Sequence, residues 1–365
     1  MVTALVVFSG GLDSILAVKV LQEQGIQVTG LSFDSYFFDS KEAEKTAKQL
    51  GIKLITKDIS EQQLETVKNP QYGHGSALNP CIDCHGLMFR VAGELVEFKD
   101  ENGGKFDIIA TGEVLGQRPF SQNGEALKKV EKLAGVDILR PLSARLLPIT
   151  SYEEQGLVDR DKLLDISGKS RKRQLELVKK YGIEYFPSPA GGCRLTENEF
   201  GIKVKKLLDN DGQNRKLEKV DFELLRIGRH YWIESDKDNG NKASTYSFVK
   251  RGVSESHYAK ATRDKLYDSG EDQDMAFNEE IGKNKVHIIL GKNHEENQQL
   301  KKSARPGDIL IELKDLMGPT ALIFGGNKLT DNELKKIKLE TKKLVLDRAK
   351  NSEGLSINEV EWIIN

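Results

Sequence analysis

Cysteine is scarce in this sequence, and neither sign of charge dominates it. Only 3 cysteines occur among 365 residues, too few for the disulfide framework of a secreted protein. The 55 basic residues are balanced by 56 acidic ones, giving a net charge of −1, which excludes a strongly basic nucleic-acid coat but permits a local basic patch. No apolar run approaches the ~20 residues needed to cross a bilayer, and the N-terminus lacks the layout of a signal peptide. These absences predict a cytoplasmic protein without membrane contact.

The first half of the sequence alternates short apolar runs with segments of helical periodicity. A helix is predicted from Ser14 to Gln24, and Ala43, Ala47 and Leu50 recur at helical spacing. Buried strands alternating with helices are typical of a parallel sheet. The predicted fold class is therefore α/β, a parallel twisted sheet with helices on both faces. Its strands are predicted at Leu5–Phe8, Val28–Phe33, Lys53–Thr56, Phe106–Ala110 and Val136–Leu139.

The sequence changes character after about residue 205, where polar, lysine-rich stretches begin. Strands are predicted at Val286–Leu290 and Asp308–Leu313, and an exposed helix at about 331–350. We therefore predict a boundary near 205–218, followed by a smaller α+β domain. The resulting domains are 1–205, 218–330 with an insertion at 235–284, and a lysine-rich helical segment at 331–365.

A glycine turn with two serines lies between the first predicted strand and the first helix, Ser9-Gly10-Gly11-Leu12-Asp13-Ser14. Glycines let backbone N–H groups point at an anion, and the helix N-terminus adds a favourable dipole. Lys19 comes too late for a Walker A motif. The six residues resemble the PP-loop, S-G-G-x-D-S, whose family members cleave ATP between its α- and β-phosphates.

This resemblance implies an ATP site with Mg²⁺ on the phosphates. Asp13 is then an ATP-site residue with a catalytic role as the alternative, although an Asp here could equally cap the helix. The end of the second strand would receive the adenine, at Leu31, Ser32 and Phe33. Thr111 and Gly112 are the further nucleotide-site residues.

The cysteines lie beside turn residues, in Asn79-Pro80-Cys81-Ile82-Asp83-Cys84 and Ala190-Gly191-Gly192-Cys193. The first segment resembles the N-P-x-x-x-C of tRNA 2-thiouridine synthases, and Ala110-Thr111-Gly112-Glu113 resembles their A-T-G-H. Segments at residues 140–143 and 166–174 continue the thiolase-like pattern. By that resemblance Cys84 is the catalytic cysteine and Cys193 the second, sulfur-bearing one.

Cys81 departs from the usual pattern, in which the well-known bacterial enzymes often carry Asp at this place. A third cysteine resembles the iron–sulfur-dependent tRNA thiolases, which implies a [4Fe–4S] cluster on Cys81, Cys84 and Cys193. Soft thiolates in a C-x-x-C plus one distant cysteine suit such a cluster. Zinc with His74 or His85 as fourth ligand and a metal-free persulfide stay open, as does a turn or surface role for both histidines.

Two further features favour RNA. Positive charge concentrates at Lys169, Arg171, Lys172 and Arg173, which either contact phosphates or form a solvated helix start. The C-terminal segments resemble the NFACT-R domain, which is associated with RNA binding. They are Arg226-Ile227-Gly228-Arg229-His230-Tyr231, Leu290-Gly291-Lys292-Asn293 with Asn297, and Gly318-Pro319-Thr320.

The resemblance implies an ATP-dependent tRNA sulfurtransferase, which adenylates a uridine carbonyl and then transfers sulfur. Its partners would be tRNA and a sulfur donor, either free sulfide or a persulfide carrier. The oligomeric state stays open, with a homodimer among the alternatives. Two other classes stay open as well: a PP-loop ligase adenylating a small molecule, and an RNA-binding module with a regulatory ATP site.

Overall fold

The computed structural model describes residues 1–97, 106–188, 192–210, 216–234 and 285–365. The predicted insertion at 235–284, and Ala190 and Gly191 of the loop before Cys193, lie outside the described residues. The chain divides into two units, Met1–Gly201 and Ile202–Asn365. Within the described part, no helix combines the length and the apolar character that a bilayer crossing requires.

Four parallel strands form the sheet of the N-terminal unit. Their order is β3-β2-β1-β4, and β1 is central, with Leu5 in register with Thr29 on one side and Ile109 on the other. Because all four run parallel, their carboxyl ends meet at one edge, where such sheets bind ligands. The strands are β1 (Thr3–Val7), β2 (Gln27–Asp34), β3 (Lys53–Asp58) and β4 (Ile108–Thr111).

Alternate residues of β1 enter two different cores. Ala4 and Val6 pack into one apolar cluster and Leu5 into the other, as the two-residue period of a strand requires. Helices cover both faces, so the predicted fold class is confirmed. The helices of this unit are α1 (Leu12–Gln22), α2 (Lys41–Leu50), α3 (Ser60–Lys68), α4 (Cys81–Glu97), α5 (Gly124–Ala134), α6 (Ser151–Glu154) and α7 (Lys172–Lys180).

The predicted strand at Val136–Leu139 is wrong. Only an isolated parallel bridge joins Leu139 to Ala110, because the chain then enters a turn in which the N–H of Ser143 donates to the carbonyl of Arg140 at 2.9 Å. The predicted strand at Phe106–Ala110 begins later, at Ile108, and continues to Thr111.

The C-terminal unit contains an antiparallel sheet in the order β5-β6-β8-β7-β9. The predicted exposed helix at 331–350 is observed as Asp331–Leu346, but Ile337 and Val345 on it are fully buried, so it covers the core. The elements are α8 (Asn198–Asn210, which spans the division), α9 (Lys219–Leu224), β5 (Arg229–Glu234), β6 (Lys285–Leu290), α10 (His294–Ser303), β7 (Ile309–Leu313), β8 (Ala321–Ile323), α11 (Asp331–Leu346) and β9 (Trp362–Ile364).

The three segments that resemble NFACT-R come together in this unit. Asn297 Oδ1 accepts the N–H of Thr320 at 3.0 Å, and the N–H of Gly291 donates to the carbonyl of Thr320 at 3.0 Å. The N–H of Gly228 donates to Glu296 Oε2 at 3.0 Å. These bonds explain the polar residues of the segments structurally, and the assignment to that domain stays a prediction.

Candidate active site

The loop of Ser9 to Ser14 leaves β1 at the carboxyl edge of the sheet. Gly10 has a φ of 75°, and a Cβ there would lie 2.5 Å from the backbone of Glu42. Conformation and space therefore both exclude a side chain at this position. Inside the loop, the Gly11 N–H donates to Ser9 Oγ at 3.3 Å and the Ser14 hydroxyl donates to the Gly11 carbonyl at 2.8 Å.

The N-terminus of α1 has no side-chain cap. Gly11 is its N-cap residue, and no side chain accepts a hydrogen bond from the first turn. The alternative that Asp13 caps this helix is therefore wrong. The first-turn N–H groups of a helix have no acceptor inside the helix, so a bound anion can satisfy them with the help of the helix dipole.

Asp13 is held by side chains from two distant segments. Gln117, in the loop after β4, donates Nε2–H to Asp13 Oδ2 at 2.7 Å. Gln174 on α7 is fully buried and lies 3.5 Å from Asp13 Oδ1 and 3.1 Å from Gln117 Oε1. Arg171 approaches the same carboxylate to 3.8 Å. The carboxylate is therefore fixed in one orientation beside the glycine loop.

Two consecutive residues at the end of β4 join the glycine loop to the cysteine helix. A Cβ on Gly112 would lie 2.4 Å from the backbone N of Ser14, so this backbone packs directly against the start of α1. The next residue, Glu113, accepts a hydrogen bond from Nδ1 of His85 at 2.7 Å. Because His85 follows Cys84 on α4, the two predicted subsites share this short segment.

Glu113 is a buried carboxylate kept ionised by its neighbours. Burial by itself raises its pKa, but the charge of Arg140 and the hydrogen bond from His85 outweigh burial, and the pKa of Glu113 lies below its usual value. Arg140 donates Nε–H to Glu113 Oε2 at 3.1 Å and also pairs with Glu131. A buried ion pair with good geometry costs desolvation and fixes its members in place.

All three cysteines are free thiols. Cys81 begins α4 and Cys84 lies one turn later, whereas Cys193 precedes the short 3₁₀ turn of Arg194–Thr196. Burial, and then the charge of Cys193, raise the pKa of the Cys84 thiol. Burial also raises the pKa of Cys193 to about 12, and the charge of Cys81 contributes. In both shifts burial is the main cause, and the charge of another cysteine adds to it.

The side chains predicted to hold a metal are the three cysteines, with His74 or His85 as a fourth ligand. In the parts of the chain that the structure describes, no group of three or more His, Cys, Asp or Glu side chains is arranged to hold a metal ion. His74 contacts the carbonyl of Val67 at 2.9 Å and His85 is bonded to Glu113, so both act as hydrogen-bonded turn or helix residues. The thiols as placed do not form a ready cluster site, and the [4Fe–4S] cluster and Mg²⁺ stay predictions.

The predicted adenine site lies at the end of β2. Leu31, Ser32 and Phe33 are all buried, and the Leu31 carbonyl accepts the N–H of Phe8 at 2.8 Å. Their side chains belong to the packing of the sheet, so any contact with adenine would come from the backbone at this edge. Thr111 is likewise buried at the end of β4.

The four predicted RNA contacts divide into two kinds. Lys169 and Lys172 are exposed. Arg173 pairs with Asp165 at 2.6 Å, and Arg171 turns toward Asp13. Exposed cations next to a nucleotide site suit phosphate contacts, and the RNA role of all four stays a prediction.

Sequence reasoning missed Gln63 and Gln117, and it gave no role to Arg140 and Gln174. A signal was present for two of them. Gln63 and Gln174 each occupy a position on the buried face of their helix, where Leu64 and Val67, or Leu177 and Val178, supply the apolar neighbours. A polar residue on an apolar stripe predicts a buried hydrogen bond. Gln117 lies in a loop without periodicity and gave no signal.

A parallel sheet with an uncapped glycine loop after β1, and with cysteines near the end of β4, is the arrangement that the PP-loop resemblance predicts. Residues 2–132 match the family model described as the tRNA methyl transferase HUP domain.

Curated relatives agree with that match. The chain is 25% identical over 253 residues to the tRNA-specific 2-thiouridylase MnmA of Rickettsia typhi, covering 64% of this chain and 66% of the relative. It is 31% identical over 168 residues to tRNA-specific 2-thiouridylase MnmA 3 of Bacteroides fragilis, covering 42% and 44%. Among solved structures, a 4-thiouridine synthetase–RNA complex with bound ATP matches at 21% identity and a TM-score of 0.34, covering 49% of this chain and 40% of that one.

Over these matched regions the chain is therefore similar to tRNA-specific 2-thiouridylases, the resemblance that its motifs predicted. The matched region spans about two thirds of the Rickettsia relative and less than half of the Bacteroides relative. The C-terminal unit is not assigned by these matches.

Proposed function

We propose that this chain catalyses the ATP-dependent thiolation of a uridine in tRNA. The observation that carries the proposal is the segment Gly112–Glu113, whose backbone packs on Ser14 and whose carboxylate holds His85 next to Cys84. Two consecutive residues thus join the glycine loop to the helix that carries Cys84. This arrangement suits a reaction in which ATP activates a carbonyl oxygen and sulfur then replaces it. The relatives named tRNA-specific 2-thiouridylases support the same substrate.

In the first step the uridine carbonyl oxygen attacks the α-phosphorus of ATP, and pyrophosphate leaves. The N–H groups of the first turn of α1 bind the phosphates, because the turn lacks a side-chain cap. Asp13, fixed by Gln117, keeps the loop in one conformation during this transfer. When bound, Mg²⁺ would neutralise phosphate charge, and Asp13 is the residue placed to orient it.

In the second step sulfur replaces the adenylated oxygen. A persulfide carrier transfers its outer sulfur to Cys193 and leaves as a thiol; the terminal sulfur of the Cys193 persulfide then attacks the carbon, and AMP leaves. The Cys84 thiolate then attacks Cys193 Sγ, which releases the thiocarbonyl base and forms a Cys84–Cys193 disulfide that a dithiol reductant restores. The competing route uses a [4Fe–4S] cluster on Cys81, Cys84 and Cys193.

The base must leave its stack to reach this site, because a carbonyl inside a helix is inaccessible. Lys169 and Lys172 are exposed near the start of α7, and Arg171 lies between them in sequence and contacts Asp13. This arrangement supports phosphate contacts by α7 while the base enters the site.

The test is turnover with labelled ATP, tRNA, a sulfur donor and a dithiol. We expect AMP, pyrophosphate and a thiouridine that nucleoside mass spectrometry detects. Ser14→Ala and Asp13→Ala should reduce AMP formation. ADP and phosphate as the only products would refute adenylation, and AMP formation with a small molecule in place of tRNA would favour a PP-loop ligase.

Three serine substitutions separate the two sulfur routes. The persulfide route predicts that Cys84→Ser and Cys193→Ser abolish thiolation and that Cys81→Ser keeps most of it in a colourless, iron-free protein. The cluster route predicts that each of the three substitutions lowers both iron content and thiolation in protein prepared without oxygen.

A further inference from the structure

Two side-chain amides lie against the sulfurs of the Cys81 and Cys84 pair, one on each sulfur. Gln63 donates Nε2–H to Cys84 Sγ at 3.1 Å, and Asn79 donates Nδ2–H to Cys81 Sγ at 3.1 Å. The donors come from different segments, since Gln63 lies on α3 and Asn79 in the loop before α4. Two unrelated segments therefore supply the same kind of donor to neighbouring sulfurs.

The amide of Gln63 is buried at a cost. Its side chain is 1% exposed, and in the described part of the chain its Oε1 atom has no hydrogen-bond partner. Burying a half-satisfied amide is unfavourable. An apolar side chain would suit this position, because Leu64 and Val67 share the same buried face of α3. In the described part of the chain, the hydrogen bond from Nε2 to Cys84 Sγ is the one hydrogen bond of this amide group.

The loop around Asn79 is shaped to seat the second amide. A Cβ on Gly75 would lie 2.6 Å from Asn79 Nδ2, so a side chain at residue 75 would displace it. Asn79 Oδ1 accepts the N–H of Ala77 at 3.2 Å, and the carbonyl of Asn79 accepts the N–H of Gly75 at 3.0 Å. These bonds orient the amide so that its N–H faces Cys81.

We propose that Gln63 and Asn79 are positioning residues, each of which holds one sulfur of the pair in a fixed orientation through an N–H···S hydrogen bond. A neutral thiol is a weak acceptor, whereas an N–H group bonds strongly to an acceptor that carries negative charge. Two buried donors that each face one sulfur therefore suit sulfurs that carry negative charge better than resting thiols. The inference deepens the proposed function, on which its catalytic meaning rests.

The experiment uses full-length protein in which Cys81→Ser and Cys193→Ser leave Cys84 as the single thiol, prepared with a chelator and a phosphine reductant. Gln63→Leu and Gln63→Glu remove the N–H donor at similar size. Gln62→Leu, at the exposed neighbouring position on α3, is the matched control. The readouts are the rate of alkylation by iodoacetamide at one fixed pH and the Raman S–H stretching band of Cys84.

Both Gln63 variants should alkylate about five-fold more slowly, and their S–H band should shift, while Gln62→Leu matches the single-thiol parent. Equal rates and an unmoved band in folded Gln63 variants would overturn the proposal, even if their thermal stability falls. If Gln63→Leu does not fold, Gln63→Met makes the same comparison.

The same design applies to Cys81 in a Cys84→Ser and Cys193→Ser protein, where Asn79→Asp removes the donor and Asn69→Asp, at the end of α3, is the control. Neither readout needs ATP, tRNA or a sulfur donor. A chain that fails to thiolate tRNA but shows this slowing refutes the proposed function and keeps the inference. A chain that thiolates tRNA but shows no slowing keeps the proposed function and refutes the inference.

Discussion

Both units of the molecule bury charged and polar side chains, but they use them differently. In the N-terminal unit these side chains meet at one edge of the parallel sheet, where Asp13 and Glu113 bind partners more than 25 positions away in the sequence. In the C-terminal unit, Asp221 accepts from Arg305 at 2.6 Å and ties α9 to the segment after α10. Buried charged side chains at the carboxyl edge of the sheet, next to an uncapped helix N-terminus, indicate a binding site. Buried charged side chains between packed helices and strands indicate a structural role.

A stack of rings makes the same point for the C-terminal unit. The rings of Trp232 and His287 are parallel within 3°, with centroids 4.4 Å apart. His230 contacts His287 Nε2 through Nδ1 at 3.0 Å and the Ile227 carbonyl through Nε2 at 2.8 Å. These histidines are core residues of a sheet, whereas His85 in the N-terminal unit is partly exposed and oriented by a carboxylate.

The largest effect should come from Gly10→Ala. A left-handed φ and a backbone atom at 2.5 Å force the loop to move, and a displacement of ~1 Å at such a site costs on the order of 100-fold in function. AMP formation from ATP should fall by about that factor, and titration calorimetry should show weaker ATP binding. The C-terminal unit should unfold at the same urea concentration as before.

Gly25→Ala is the matched control for that prediction. Gly25 has a φ of 77° as well, but nothing lies within 4 Å of the added Cβ. It should cost about 1–2 kcal/mol of stability and leave ATP affinity unchanged. Equal ATP affinity in the two variants would show that the loop does not bind the nucleotide.

Arg305→Gln tests the architectural role of buried charge. Asp221 is 2% exposed, and removing the closest described cation from a buried carboxylate typically costs ~3 kcal/mol. Both tryptophans, Trp232 and Trp362, lie in the C-terminal unit, so fluorescence-detected urea unfolding reports on this unit alone. ATP affinity should not change.

The control is Arg348→Gln, because Arg348 pairs with the exposed Asp347. An exposed pair contributes about 0–1 kcal/mol, so its unfolding midpoint should barely move. If Arg305→Gln weakened ATP binding as strongly as Gly10→Ala, the buried charge of the C-terminal unit would have more than a structural role.

The sequence predicted the fold of the N-terminal unit because its strands are short apolar runs and its helices repeat apolar residues at helical spacing. It failed at Val136–Leu139, where an equally apolar run makes one bridge to Ala110. The strand stops because the chain turns at Arg140, and a pattern of apolar residues does not show where such a turn begins.

The candidate site was predicted only as far as local motifs reach. The glycine loop and Cys84 lie in short sequence motifs, so their roles could be predicted from neighbouring residues alone. Gln117 and Gln63 could not be found, because their roles exist only when distant segments meet at Asp13 and Cys84. The buried face of α11 was missed because its lysines mask Ile337 and Val345.

The smallest effect concerns pH and the ring stack. Burial, and then the charges of His287, Lys203 and Lys292, hold the pKa of His230 well below its ordinary value of 6.5. Below pH 6.5 the unfolded chain binds a proton that the folded chain refuses, so stability falls as the pH falls, by up to about 1.4 kcal/mol per pH unit. Tryptophan-detected urea midpoints between pH 7.5 and 5 should show this slope.

His230→Gln should flatten the slope, and His294→Gln, at the exposed start of α10, should not. A slope that survives in His230→Gln would assign the pH dependence to other groups and leave the stack as packing alone.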